Sequence, residues 1–185
     1  MQPDQPSAQE TIAEIRSAFG RDDPASAQEV PKSRVLEWMR STDLQVRGAL
    51  YTMIADAGRA KHIRPPLQFE DYYGFVLPYL EQCIEQNPDG EWTDSRYLAG
   101  HALVAWIFDF WNNEAVPRTK LAEIKHRLAD LYKRGDEGVR DAVVNAVLEH
   151  LFENRQLATY FGDWKKDPLL GRAYKDALSW TEKAP

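Results

Sequence analysis

Cysteine is nearly absent from this chain of 185 residues, and Cys83 is the single one. One thiol excludes a disulfide within the chain, and such sparse use of cysteine is typical of a reducing cytosol. The first six residues, Met-Gln-Pro-Asp-Gln-Pro, have neither the basic start nor the apolar run of a secretory signal. We therefore expect a cytoplasmic protein.

Long hydrophobic runs are also missing. The longest apolar stretch extends from Tyr97 to Phe108 and is interrupted by Gly100 and His101. A membrane-spanning helix needs about 20 predominantly apolar residues, so this stretch predicts a core helix and no membrane contact. Because it is apolar on nearly all sides, we expect it to be the central buried helix of the fold.

Basic charge is scarce, with 23 Lys and Arg residues against 29 Asp and Glu residues and a net charge of −6. Duplex nucleic acid requires a basic face that neutralises phosphates, so we exclude it as a partner. The shortage is greatest between Arg64 and Arg96, where no Lys or Arg occurs. The carboxylates of this base-free interval are Glu70, Asp71, Glu81, Glu85, Asp89, Glu91 and Asp94.

Motifs for catalysis and cofactor binding are missing as well. The chain has no Gly-x-Ser-x-Gly, Gly-x-x-x-x-Gly-Lys, His-Glu-x-x-His or Cys-x-x-Cys. Glu123-x-x-His126, with Asp130 one turn on, is half of a di-iron arrangement, but it lies opposite the apolar stripe of its helix and predicts a solvated face. His150 falls on an apolar face and predicts a half-buried side chain. We therefore predict no metal, no cofactor and no enzymatic activity.

Asp109 lies on the most apolar predicted helix, between two phenylalanines. A buried carboxylate needs a partner, so we predict a structural salt bridge from Asp109 to Arg140 or Arg47. The alternative is a general base in a cleft: a metal-dependent hydrolase or metalloprotein built around Asp109, His101 and Glu114, or around Glu123 and His126.

One sequence pattern is present twice. Residues 43–49 and 136–142 share Asp-x-x-Val-Arg-x-Ala, and each copy lies between two amphipathic stretches, as in a helix-hairpin repeat. We predict an all-α fold, a short right-handed α-solenoid of about three helix hairpins. Its predicted parts are a disordered N-terminus (1–8) and a single helical domain (9–185), which holds an N-terminal helix, hairpins at about 30–57, 69–112 and 119–154, and a C-terminal capping helix at about 169–180.

The repeated pattern resembles the turn and second-helix start of HEAT repeats. In that family the Asp and Arg at these positions commonly hydrogen-bond between neighbouring repeats, so the resemblance implies this structural role for Asp43, Arg47, Asp136 and Arg140. The middle hairpin departs from the pattern, because Asp94 is followed by Ser-Arg-Tyr. In size and layout the chain is also similar to small bacterial helical proteins that are encoded beside secreted toxins as their immunity partners.

Aromatic residues are interspersed among the acids of the base-free interval. Carboxylates speed the encounter with a basic protein, and Tyr and Trp supply much of the binding energy at interfaces. The interval therefore predicts a surface for a basic protein such as a toxin, with contact residues Tyr72, Glu81, Glu85, Asp89, Glu91, Trp92 and Asp94. Two alternatives stay open: these aromatic residues fill the core, or the chain is a general scaffold or adaptor that binds through a concave face.

Overall fold

The computed structural model describes residues 7–23 and 27–181, and most of them are helical, which confirms the predicted all-α fold. The only β structure among these residues is one pair of two-residue parallel strands. The chain divides into two compact units. The first comprises Met1–Tyr79 and Pro88–Asp94, and the second comprises Leu80–Asn87 and Ser95–Pro185.

The first unit is built mainly from short helices. Its elements are α1 (Ala8–Ala18), β1 (Val30–Pro31), α2 (Lys32–Trp38), α3 (Leu44–Ile54), α4 (Ala57–Ala60), β2 (Ile63–Arg64) and the start of α5 (Phe69–Gln86). A capping box starts α1, because Ser7 accepts from the Glu10 N–H while Glu10 accepts from the Ser7 N–H. Residues 1–6 of the predicted disordered terminus lie outside the described residues.

Helix α1 ends where the sequence favours a stop. Ile15 and Phe19 are buried, and α1 packs against α3. Gly20 follows in the left-handed conformation, with φ of 59°, which glycine adopts without the steric cost that a Cβ would add.

The two strands were absent from the sequence prediction. Val30 pairs with Ile63 and Pro31 with Arg64 in parallel register. Both Val30 and Ile63 are buried, so the pairing joins two loops through the core of the first unit. Two residues are too short for the alternation that identifies a strand in a sequence.

Helix α5 continues through Pro78. Proline has no N–H, so Pro78 leaves the carbonyl of Gly74 without its helical donor. The side chains of Tyr73, Val76 and Tyr79 on this helix are buried.

The second unit contains the longer helices. Besides the end of α5 they are α6 (Arg96–Asn112), α7 (Arg118–Arg134), α8 (Glu137–Ala142), a π-helical stretch (Val143–Leu148), α9 (Glu149–Phe152), α10 (Arg155–Tyr160), a 3₁₀ helix (Gly162–Lys166) and α11 (Pro168–Thr181). Helix α8, the π-helical stretch and α9 follow one another without a break, and we call them together the 137–152 run. The predicted capping helix corresponds to α11, whose Tyr174 hydroxyl donates to the carbonyl of Ala158 at 3.0 Å.

Within the second unit, the first helices of neighbouring predicted hairpins run in the same direction, and so do the second helices. The contacts, in chain order, are Glu81 with Arg127, Glu85 with Arg134, Gly100 with Ala146, and His101 with His150. In both helix pairs the residue numbers rise together, so α5 runs parallel to α7, and α6 runs parallel to the 137–152 run. Stacked hairpins require this arrangement between neighbours. The right-handed stack of three hairpins stays a prediction.

Helix α6 is not the fully buried helix that its composition predicts. Leu103 and Ile107 on one side are buried, with exposures of 1% and 2%, whereas Tyr97 and Leu98 are 47% and 59% exposed. The prediction was wrong because composition shows how apolar a helix is and does not show how many neighbours surround it.

Candidate docking surfaces

The aspartates of the two repeated motifs have the same local role. Asp43 precedes α3 and accepts hydrogen bonds from the N–H groups of Gln45 and Val46, at 2.8 and 3.1 Å. Asp136 precedes α8 and accepts from the Val139 N–H at 2.8 Å. Both carboxylates therefore satisfy free donors at a helix N-terminus.

The arginines of the two motifs have different surroundings. Arg140 donates to the carbonyls of Tyr132 and Lys133 at 3.1 and 3.3 Å, in the last turn of α7. Arg47 is buried and donates to the carbonyl of Phe75 at 3.3 Å, in the interior of α5. The two motifs are therefore alike at their aspartates and differ at their arginines.

Arg96 has the role in the middle hairpin that Arg140 has in the last one. Its Nε donates to the carbonyl of Ile84 at 2.7 Å and its Nη2 to that of Glu85 at 3.1 Å, at the end of α5. Sequence reasoning missed this residue because Arg96 is the first residue of α6, whereas Arg140 is the fourth of α8. The sequence did contain a signal for this role: Arg96 follows the predicted end of α5, and the C-terminus of a helix attracts basic side chains because it is the negative end of the helix dipole.

The predicted acidic-aromatic contact residues do not belong to one compact unit. Glu81 and Glu85 fall in the second unit. The first unit contains Tyr72, Asp89, Glu91, Trp92 and Asp94. The sequence interval therefore contributes residues to both units.

Glu81 and Glu85 have basic partners from α7. The Glu81 side chain is 11% exposed, and Arg127 binds its two oxygens, with Nε 2.6 Å from Oε1. Arg134 binds Glu85 at 2.7 Å. The prediction that Glu81 contacts a partner was wrong, because the residue is buried. The arginines that neutralise this interval come from a distant part of the sequence.

Trp92 is also buried, at 8% exposure. The guanidinium of Arg21 lies 4.0 Å from the centre of its ring, and a nitrogen of Arg21 is 3.6 Å from Glu91. Arg16 lies over the same ring at 5.5 Å. Trp92 is therefore a core residue, which is the alternative that the sequence left open for the aromatic residues of this interval.

The other predicted contact residues of the first unit differ in exposure. Tyr72 is half-buried, and burial raises the pKa of its hydroxyl. Asp94 is half-buried as well, and desolvation raises the pKa of its carboxyl group. Asp89 is exposed, and its backbone carbonyl accepts from the Gln45 side chain at 2.9 Å.

Asp109 is exposed on α6, so the predicted buried salt bridge to Arg140 or Arg47 was wrong. The error followed from the expectation that all sides of α6 are buried. His126 is exposed too, with its Nε2 3.3 Å from Asp130. Within residues 7–23 and 27–181, no group of three or more His, Cys, Asp or Glu residues is arranged to hold a metal ion.

One side of α6 presents a mixed stripe to solvent, in which Leu98 and Ala105 are apolar and His101 and Asp109 are polar. Leu98, His101, Ala105 and Asp109 are exposed and follow one another at spacings of three and four, so they form one stripe along the helix. Tyr97 lies beside this stripe. A helix that is apolar on all sides is normally buried on all sides, so the exposed side of α6 is an exception that requires an explanation.

Acids occur on and just after the 137–152 run, which packs against α6. His101 contacts His150 with ring centres 4.8 Å apart, and Glu153 lies 3.5 Å from His150. Asp141 is exposed and Glu149 half-exposed on the same 137–152 run. We define the α6 face by the following residues of α6 and of the 137–152 run and its end: Tyr97, Leu98, His101, Ala105, Asp109, Asp141, Glu149 and Glu153.

The cations of the same helices are half-buried. Arg96 and Arg140 are the only Lys or Arg residues in α6 and the 137–152 run. Both direct their guanidinium groups to backbone carbonyls at helix ends. The α6 face therefore combines exposed apolar side chains with an excess of negative charge.

The chain matches no known protein family, no curated protein and no solved structure. In the described part of the chain, no helix has both the length and the apolar character that crossing a membrane requires.

Proposed function

We propose that this chain is a non-enzymatic protein-binding module and that its α6 face docks a basic protein. The observation that carries the proposal is the exposed side of α6, where Leu98 is 59% and Tyr97 is 47% exposed. Contiguous exposed apolar side chains with a polar border are typical of protein interaction sites.

Charge decides which kind of partner suits the α6 face. Its four carboxylates are Asp109, Asp141, Glu149 and Glu153. Lys and Arg side chains of a partner would meet these groups at the border, while apolar side chains cover Leu98 and Ala105. Complementary charge mainly raises the rate of association and excludes acidic competitors, so a basic protein is the partner class that fits.

The narrower proposal is a bacterial immunity protein of the cytoplasm that neutralises a basic toxin by covering it. It rests on the resemblance in size and layout. The parallel pairing of α5 with α7, and of α6 with the 137–152 run, supports a HEAT-like stack of hairpins, an architecture that commonly binds other macromolecules.

A capture experiment followed by a binding measurement tests the proposal. The immobilised chain is exposed to a lysate of its native host, and each captured protein is purified and titrated against the wild type, Leu98→Lys and Asp141→Lys. Glu123→Lys is the matched control, because it reverses an exposed acid of α7 that lies outside the α6 face.

The proposal expects a captured basic protein whose binding weakens about tenfold with Asp141→Lys at low ionic strength. Leu98→Lys weakens the same binding, and Glu123→Lys leaves it nearly unchanged. Both α6-face variants keep the melting temperature of the wild type, because exposed substitutions rarely alter stability. Equal effects of Asp141→Lys and Glu123→Lys would count against the α6 face as the docking surface.

A further inference from the structure

The first unit contains an apolar cavity of about 320 Å³ that opens to solvent. Its inner wall includes Ile54 and Ile63, which are buried, and half-buried Leu67 and Tyr72. Phe69 forms part of the edge and is 40% exposed. The complete lining is Ile54, Ala60, Ile63, Pro66, Leu67, Gln68, Phe69 and Tyr72, and we call this cavity the apolar socket.

The walls of the apolar socket are held in place by contacts behind them. The ring of Phe69 stacks on buried Tyr73, with ring centres 5.6 Å apart. Ile63 is fixed by the pairing of β2 with β1, and the Val30 N–H donates to the carbonyl of His62 at 2.9 Å. A site whose walls are ordered before binding loses less conformational entropy when a ligand enters.

The loop that contributes Ala60, Ile63 and Pro66 to the apolar socket carries positive charge. Lys61 and Arg64 adjoin the lining residues Ala60 and Ile63 in the chain, and both are exposed. Arg64 donates to the backbone carbonyls of Lys61 and Ile63, the latter at 2.9 Å. Within the described residues, neither Lys61 nor Arg64 forms an ion pair with a carboxylate.

Two nearby acids, Asp56 and Asp71, have basic partners of their own. Asp56 binds the guanidinium of Arg59 at 2.9 Å, and Asp71 forms an ion pair with Lys32. Glu70, next to Phe69, also has an interaction within the protein. Although the whole chain carries a net charge of −6, the loop of residues 60–66 that lines the apolar socket contains two cations and no acid, which favours a negatively charged ligand.

We infer that the apolar socket binds an acidic peptide segment of another protein, which inserts one bulky apolar side chain beside Phe69 and Tyr72. An apolar anchor in a preformed pocket is the usual centre of a protein interface. Acidic residues beside the anchor would pair with Lys61 and Arg64 at the border. This surface shares no residue with the α6 face and prefers a ligand of the opposite charge.

Three synthetic peptides of defined charge test this inference. The first is acetyl-Glu-Glu-Leu-Phe-Glu-Glu-amide, the second replaces every Glu with Lys, and the third replaces Leu-Phe with Ala-Ala. Each is titrated into the ¹⁵N-labelled full chain, and amide chemical shifts are followed. The variants are Lys61→Glu and Phe69→Ser, and Lys175→Glu is the control at an exposed lysine of α11.

The inference expects the first peptide to shift amides between residues 54 and 72 in a saturable manner. The second and third peptides bind more weakly, and Lys61→Glu weakens binding of the first about threefold or more. Phe69→Ser weakens it as well, because the anchor side chain loses part of its wall. Lys175→Glu leaves the binding of the first peptide unchanged, and unchanged amide dispersion shows that each variant is folded.

Shifts that are equal for the acidic and basic peptides, or absent near the apolar socket, would overturn the inference. Neither result bears on the α6 face.

Discussion

At the scale of single residues, the carboxyl group of Asp94 is in an unusual position. Its Oδ2 is buried and has no hydrogen-bond partner among the described residues, while its backbone N–H donates to the Tyr79 hydroxyl at 3.2 Å. Burial without a partner disfavours the charged form and raises the pKa of Asp94 above its ordinary value of 3.8. The folded protein therefore retains this proton to a higher pH than the unfolded chain does.

Asp94→Asn tests this account. Between the ordinary and the raised pKa the folded state binds more protons than the unfolded state, so the free energy of unfolding falls as the pH rises through that window. Asn has no charge to lose, so Asp94→Asn should be more stable than the wild type at pH 7, and this advantage should shrink towards pH 3. Urea unfolding at both pH values measures the difference. Asp89→Asn at an exposed acid is the control, and an equal gain there would contradict the account.

Arg47 and Arg140 allow a matched comparison. Both follow a capping aspartate by four residues, but Arg47 is buried against α5 and Arg140 is half-buried at the end of α7. Losing a charged hydrogen bond in the interior costs about 1.5–3 kcal/mol, whereas losing a cation at a helix end costs about 0.3–1 kcal/mol.

Arg47→Met should therefore lower the free energy of unfolding more than Arg140→Met does. Methionine retains much of the apolar stem in both variants, so the comparison isolates the guanidinium. Chemical denaturation of the two variants under the same conditions gives the answer. Equal losses would mean that the two arginines are equivalent, as strict repetition of the motif requires.

At the scale of elements, two helical glycines have opposite surroundings. A Cβ built on Gly48 of α3 would lie 1.8 Å from the carbonyl oxygen of Trp92, whereas a Cβ on Gly74 of α5 would meet nothing within 4 Å. Gly48 therefore permits the backbone of the 88–94 segment to approach α3. Gly74 has no such packing role.

Substitution of these glycines by alanine should change stability in opposite directions. Gly48→Ala forces the backbone of α3 away from the backbone at Trp92 and should lower the free energy of unfolding by about 1–3 kcal/mol. Gly74→Ala relieves the entropic cost of glycine in a helix and should raise it by about 0.5–1 kcal/mol. Thermal unfolding of the pair measures both. A stabilising Gly48→Ala would show that Trp92 does not pack where the structure places it.

Sequence reasoning located the elements that have a long helical period and failed where a feature depends on distant residues. The stretches that form α5 and α7 are identifiable from apolar side chains at spacings of three and four. The β1–β2 pairing was missed because two residues carry no period. The burial of Glu81 was missed because its partner, Arg127, is 46 residues away. The candidate docking surface changed from the base-free interval to the α6 face for the same reason. Only the packing of α6 against other helices reveals which of its sides is exposed.

At the scale of the whole molecule, two surfaces have separate chemical preferences. The α6 face belongs to the second unit and is apolar and acidic. The apolar socket belongs to the first unit, and Lys61 and Arg64 adjoin its lining residues in the chain. A non-enzymatic module with these surfaces would contribute recognition, and its partners would determine the biological result.

Hydrogen–deuterium exchange of the chain, alone and bound to the captured basic protein, tests the central claim most directly. Binding at the α6 face predicts slower exchange in peptides that cover residues 97–109 and 141–153, with little change in residues 65–94. Protection confined to residues 65–94, or to any region outside the α6 face, would contradict the claim that α6 provides the docking surface.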